Sequence, residues 1–293
     1  MGPRLQAFVA IVFWGISFVA TRVALRDVQP VTLLVTRFAL GVALLAAIVA
    51  ARRLPLAPPR ATWAPLALMG FVGIFVHQLL QCIALTMTTA VQTGWLIGII
   101  PIWSALLSAI FLRERFGFGK VAGLLVGFAG AALVVTRGRI GPEFLTLPAT
   151  RGDFLVLIST VTWAIYTVLG HRTIRGLGSL RATLGAMLFG WLMLLPLFFA
   201  GEGWKELFHV SPAGWASILF LGFGCSGLAY WFWYGALEKV ETSRVAAFLY
   251  LEPLVTVAAA VPLLGEPVGV TTVVGGTIVL VGVALVQRSD KGT

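Results

Sequence analysis

His77, Gln78, Gln81 and Cys82 fall within one apolar run and are the side chains there best able to do polar chemistry. His77 and Gln81 stand four residues apart and share a helix face, with Gln78 beside Gln81. An imidazole and two amides supply donors and acceptors without fixed charge, which suits the polar head of a small solute. A second group is aromatic. Trp14 with Ser17 one turn on, Trp163 with Tyr166 one turn on, and Tyr230, Tyr234 and Tyr250 offer rings on which an apolar tail can stack. The third feature is Glu252, followed at once by Pro253. A carboxyl inside an apolar run could exchange a proton with a passing solute, support the proline kink, or pair with Arg37. The alternative use of the histidine and glutamines is to bond neighbouring helices.

These residues must be held by elements that an oily sequence can form. The 293 residues are 59% hydrophobic and only 11% charged, with a mean hydropathy of +0.98. A soluble domain carries about a quarter charged residues, so the composition is that of an integral membrane protein. A helix needs ~20 mostly apolar residues to cross the hydrocarbon core. Ten stretches qualify: residues 5–25, 31–51, 63–85, 91–112, 119–136, 152–172, 180–200, 212–237, 243–264 and 270–287. Trp14 and Trp163 then lie roughly 14–17 Å into their spans, too deep for interfacial anchors. Glu252 lies ~12 Å beyond Arg244, near the middle of a ~30 Å core. Pro101 and Pro253 each release a carbonyl one turn back, so both mark kinks near the centre.

The second half repeats the first. Trp63 and Trp215, Gly70 and Gly222, Pro101 and Pro253, Glu114 and Glu266, Gly123 and Gly275, and Gly130 and Gly282 all stand 152 positions apart. The expected organisation is a first five-helix repeat over 1–137, an extracytoplasmic connection over 138–151, and a second repeat over 152–293. With the N-terminus cytoplasmic, fourteen of the 21 lysines and arginines fall on the cytoplasmic side and six opposite, while Arg37 lies within a span. Both termini are therefore expected in the cytoplasm. Five crossings per copy would invert the second copy relative to the first, the arrangement that builds a central site open to either side in turn. The copies disagree at His77, Gln78 and Gln81, which face Ala229, Tyr230 and Trp233, and at Glu252, which replaces Ile100.

Two five-helix repeats, each with a proline-containing fourth helix, a Leu-x-Glu turn and a glycine-rich fifth helix, resemble the EamA-type transporters of the drug/metabolite transporter superfamily. The pattern here runs from Pro101 through Leu112-Arg113-Glu114 to Gly123, and from Pro253 through Leu264-Gly265-Glu266 to Gly275. The resemblance covers essentially the whole chain. It implies an all-α, ten-helix bundle in a bacterial inner membrane that exports small metabolites by alternating access. The aromatic interior is similar to that of the YddG-like aromatic amino-acid exporters.

On these grounds the expected cargo is an amino acid, aromatic or otherwise apolar, and the expected state a monomer in the lipid bilayer. An effluxer of drugs or organic cations is the alternative within the superfamily, although the first helix lacks a carboxylate. Phosphorylated solutes are disfavoured because no lysine lies mid-membrane. A lipid-modifying membrane enzyme would need an acid/base or metal constellation. Three histidines with no His-Glu-x-x-His and three scattered aspartates supply none, so no catalytic residue, metal or cofactor is expected. The basic residues sit in short clusters between apolar runs, which argues against nucleic acid. Cys82 and Cys225 read as packing residues, and the glycines of 123–130 as a close-packing helix face.

Overall fold

The structure, a computed structural model, describes residues 1–88, 90–114, 117–135, 151–264 and 270–288. Among the described residues the chain is helical with no strand. In lipid a helix satisfies its own backbone polar groups, which is why so apolar a chain takes this form. Helices α1 (Pro3–Ala24) and α2 (Pro30–Ala51) each open on a proline, whose missing N–H would have no partner there in any case. α3 (Trp63–Met69) passes through a π-helical stretch, Gly70–Val76, into α4 (His77–Met87). There follow α5 (Ala90–Ile97), α6 (Ile100–Leu112) and α7 (Phe118–Val135). α8 (Arg151–Leu177) and α9 (Ser179–Ala200) lead to a 3-10 turn over Gly203–His209. α10 (Pro212–Leu219) passes through a second π-helical stretch, Phe220–Ala229, into α11 (Tyr230–Leu237). The chain continues through α12 (Thr242–Ala246), a 3-10 turn over Ala247–Leu251, α13 (Glu252–Leu264) and α14 (Val270–Arg288).

Among the described residues six helical runs are long and apolar enough to cross a membrane: Pro3–Ala24, Pro30–Ala51, Arg60–Met87, Arg151–His171, Ser179–Ala200 and Pro212–Leu237. Large apolar side chains such as Leu68, Phe71, Leu125, Leu192, Phe199 and Leu280 point outward, as lipid-facing positions should. The single spans expected over 91–112 and 243–264 are each interrupted. The breaks fall just before Pro101 and Pro253, which take up the first turn of α6 and α13. A proline cannot complete the preceding helix, so each expected kink is a change of helix type or a short turn. The connection expected over 138–151 lies outside the described residues except for Arg151, as do Gly265, Glu266 and the side chain of Trp95.

Gly70 and Gly222, which stand 152 positions apart, each pack closely on another helix. A Cβ on Gly70 would press on the Ala186 carbonyl and Phe189 Cβ; one on Gly222 would press on the Arg37 carbonyl and Leu40 Cβ. α7 and α14 pack antiparallel through glycines. Gly123 meets the Gly282 carbonyl, Gly130 meets the Gly275 carbonyl, and Gly282 meets the backbone of Gly127. Small residues at these crossings let the two backbones touch. The glycine face is thus spent inside one chain.

Glu114, at the end of the first Leu-x-Glu turn, caps α12. Its carboxylate accepts from Thr242 N at 2.7 Å, Ser243 N at 3.3 Å and Ser243 Oγ at 2.6 Å. Beside it the buried Lys120 donates to Glu241 Oε2 at 2.7 Å, and Glu241 also receives Arg244 Nε at 3.1 Å. These bonds fix the start of the segment that carries Leu249 and Glu252 inward.

Candidate substrate cavity

A cavity of about 40 Å³ lies among the helices. α1 gives it Trp14, Ser17, Phe18 and Thr21, spaced so that all four share one helical face. α4 gives His77, Gln78, Gln81, Cys82 and Leu85. Trp163 comes from α8, Tyr230 from α11, Arg37 from α2, and Leu249 with Glu252 from the α12–α13 segment. The lining runs from Trp14 and His77 toward the ends of α1 and α4 at Ala24 and Met87. At the opposite end, where Gly235 of α11 lies against Gln6 of α1, the space is filled by packed rings.

Those rings form one cluster. Trp14 meets Trp163 edge-on at 5.0 Å between ring centroids, Tyr230 at 5.4 Å and Trp233 at 5.3 Å. Trp163 meets Tyr166 at 5.4 Å, and Tyr166 meets Tyr234 at 5.3 Å. Offset and edge-on pairs of this kind add about 0.5–1.5 kcal/mol each beyond burial. Backbone gaps admit them: the Tyr166 ring rests on Gly73 and the Tyr234 ring on Gly170, where a Cβ would collide. Gly73 sits inside the first π-helical stretch, a helix form that recurs at functional sites.

Hydrogen bonds set the polar wall. His77 Nδ1 lies 2.9 Å from the Ser159 carbonyl, which can only accept, so that nitrogen carries the proton and donates. Its ring lies against Trp163 at 4.9 Å. Gln78 Nε2 donates to the Tyr230 hydroxyl at 2.8 Å, joining two residues that stand 152 positions apart. Trp14 Nε1 donates to the Cys225 carbonyl at 3.1 Å, and Ser17 Oγ to the Trp14 carbonyl at 2.6 Å. Trp163 Nε1 is buried and donates to none of the described residues.

Of the residues singled out from the sequence, Trp14, Ser17, His77, Gln78, Gln81, Trp163, Tyr230 and Glu252 line this cavity. Tyr166, Tyr234 and Tyr250 do not. Tyr166 is fully buried within the ring cluster, Tyr234 donates to the Tyr166 carbonyl at 3.2 Å, and Tyr250 donates to the Leu124 carbonyl at 3.0 Å beneath α7. They share a helical region with lining residues but point to neighbouring helices, a distinction that spacing alone does not make in an all-apolar helix.

Arg37 does not pair with Glu252, one of the three uses the sequence left open for that carboxyl. Its side chain is 5% exposed, its Nε donates to Ser226 Oγ at 2.9 Å, and its guanidinium faces the cavity. No ion pair with Glu252 forms, and Glu252 is 4% exposed. Cys82 and Cys225 are free and buried.

The sequence profile of the EamA-like transporter family matches residues 4–136 and again residues 150–288. An uncharacterized transporter of Archaeoglobus fulgidus is 31% identical over 282 residues, covering 96% of each chain. A probable terminal-alkyne amino-acid exporter of Streptantibioticus cattleyicolor is 32% identical over 284 residues, covering 96% of this chain and 92% of its own. One solved crystal structure superposes with a TM-score of 0.78 over 98% of both chains at 21% identity, a likeness of fold.

Proposed function

This chain belongs to the EamA-like transporter family, a multi-pass membrane transporter and not an enzyme, and from that premise we propose that it exports amino acids, aromatic and other apolar ones included, by alternating access. The observation that carries the reading is the cavity itself. Trp14, Trp163 and Tyr230 present rings to one space that His77, Gln78 and Gln81 line with an imidazole and amides. A solute with an apolar side chain and a polar head fits such a mixed wall. The amino-acid exporter among its relatives supports the same substrate class.

The proposed architecture is ten membrane helices in two inverted repeats, 1–137 and 152–293, in a bacterial inner membrane with both termini cytoplasmic. The antiparallel packing of α7 against α14 through paired glycines supports the inversion, because helices related by a parallel duplication would run the same way. The family profile's two successive matches support the duplication. A fused pair of repeats supplies its own partner, so the working unit is a monomer. The cavity reaches toward the face expected outside, and the ring cluster closes the cytoplasmic end. Glu252 is the group placed to carry a proton in exchange for the solute.

Efflux of labelled phenylalanine, methionine or threonine from proteoliposomes, with and without a pH gradient, tests this function. At least one of them should leave faster than from protein-free vesicles. If none moves while an organic cation does, the drug-efflux alternative replaces the amino-acid reading.

A further inference from the structure

Two side chains of opposite ionisable type, Arg37 and Glu252, face the cavity, and neither has a counter-ion among the described residues. Arg37 uses Nε on Ser226 Oγ and lies over the Phe38 ring at 5.2 Å, while its two Nη groups donate to none of the described residues. The Glu252 carboxylate accepts no hydrogen bond among them. Both side chains are more than nine-tenths buried, and both line the same space. An uncompensated charge inside a membrane protein is costly, and one that persists there marks a ligand or ion pathway.

Their placement around α1 suits one small ligand. Arg37 is bonded to Ser226, next to the Cys225 carbonyl that receives Trp14 Nε1. Glu252 starts α13 with its backbone carbonyl against Gly15, the residue after Trp14, and Thr256 fixes that contact by donating to the Gly15 carbonyl at 2.9 Å. The two charges therefore flank Trp14 on two different helices. With Nε held by Ser226, the guanidinium presents its remaining donors in the fork that matches a carboxylate. Glu252 offers only acceptors when ionised, which matches an ammonium.

We propose that Arg37 receives the carboxylate and Glu252 the ammonium of a zwitterionic α-amino acid, with the side chain on Trp14 and Trp163. This rests on the amino-acid reading above and adds the selection rule: the site takes a solute carrying both charges and rejects one carrying a single charge. A ligand missing one group leaves the opposite protein charge buried and unpaired, the kind of mismatch by which polar sites discriminate most strongly.

The test titrates the purified full-length protein, in lipid nanodiscs, with phenylalanine, phenethylamine and 3-phenylpropionate, following intrinsic tryptophan fluorescence. Wild type should bind phenylalanine at least about tenfold more tightly than either analogue. Arg37→Gln should lose at least about tenfold for phenylalanine and 3-phenylpropionate while keeping its affinity for phenethylamine, and Arg37→Lys should recover part of the loss. Glu252→Gln should show the mirror pattern, keeping 3-phenylpropionate. Equal losses for all three ligands would mean a purely structural role and overturn the proposal, as would unchanged affinities in both variants. If wild type binds phenylalanine but the variants fail these patterns, the charge assignment falls alone. If wild type binds no amino acid, the substrate reading falls and takes the assignment with it.

Discussion

Replacing Glu114 by alanine should both destabilise the protein and weaken substrate binding, although Glu114 lies outside the cavity. Its carboxylate receives three bonds at the start of α12, from Thr242 N, Ser243 N and Ser243 Oγ, and Thr242 and Ser243 are fully buried. Without the carboxylate, water cannot easily replace it. A lost helix cap costs about 0.5–2 kcal/mol, and each buried donor left unmade about 1–3 kcal/mol. Local relaxation recovers part of that sum, so a loss of about 2–4 kcal/mol is expected. At roughly 2–4 °C per kcal/mol, the unfolding midpoint should fall by about 4–16 °C. Thermal unfolding in detergent, followed by tryptophan fluorescence, measures the shift. Phenylalanine affinity should fall as well, because α12 begins the segment that carries Leu249 and Glu252 into the cavity. Glu114→Gln keeps one acceptor oxygen and should lose about half as much. An alanine variant with an unchanged midpoint would refute the reasoning.

Gly130→Val should destabilise the protein by about 1–3 kcal/mol or more, since the new Cβ would lie 2.6 Å from Val279 N, whereas the outward-facing Leu125→Val should change the melting midpoint little. Gln78→Ala and Tyr230→Phe should couple by about 1 kcal/mol in a double-mutant cycle on thermal stability, and strict additivity would show that their 2.8 Å bond contributes nothing. A small thiol reagent should modify Cys82, which lines the cavity, ahead of Cys225, which does not, and bound phenylalanine should slow it; mass spectrometry of each cysteine decides. Glu252→Gln should abolish the acceleration of efflux by a pH gradient, and an unchanged ratio of rates with and without the gradient would exclude the coupling role.

Much of this site was legible in the sequence because polar groups are rare in it. His77, Gln78, Gln81 and Glu252 stood out by chemistry alone, and the structure brings all four to one cavity. The tryptophans at depth were legible for the same reason. Direction within a helix was not. Tyr166, Tyr234 and Tyr250 look like lining residues in a one-letter string, but whether a ring turns to a cavity or to the next helix depends on gaps left by Gly73, Gly170 and Gly127 on other segments. The partner of Arg37 was not legible, because Ser226 stands 189 residues away. Packing places it there: Gly222 lies against the Arg37 carbonyl as Gly70 lies against that of Ala186, so α2 packs deep in the bundle at Arg37. The breaks before Pro101 and Pro253 were foreseen as kinks, since the missing N–H is local; how far each break opens depends on packing and was not.

An amino-acid exporter of this form must pass its solute through the cavity between Trp14 and Glu252. Counterflow of labelled phenylalanine into proteoliposomes preloaded with the unlabelled amino acid measures this directly, comparing wild type with Ser17→Trp, which fills the cavity, and Leu125→Trp, on the outward face. Saturable counterflow in wild type and Leu125→Trp, abolished in Ser17→Trp with its melting midpoint preserved, is the predicted result. Counterflow through Ser17→Trp at the wild-type rate would contradict the account.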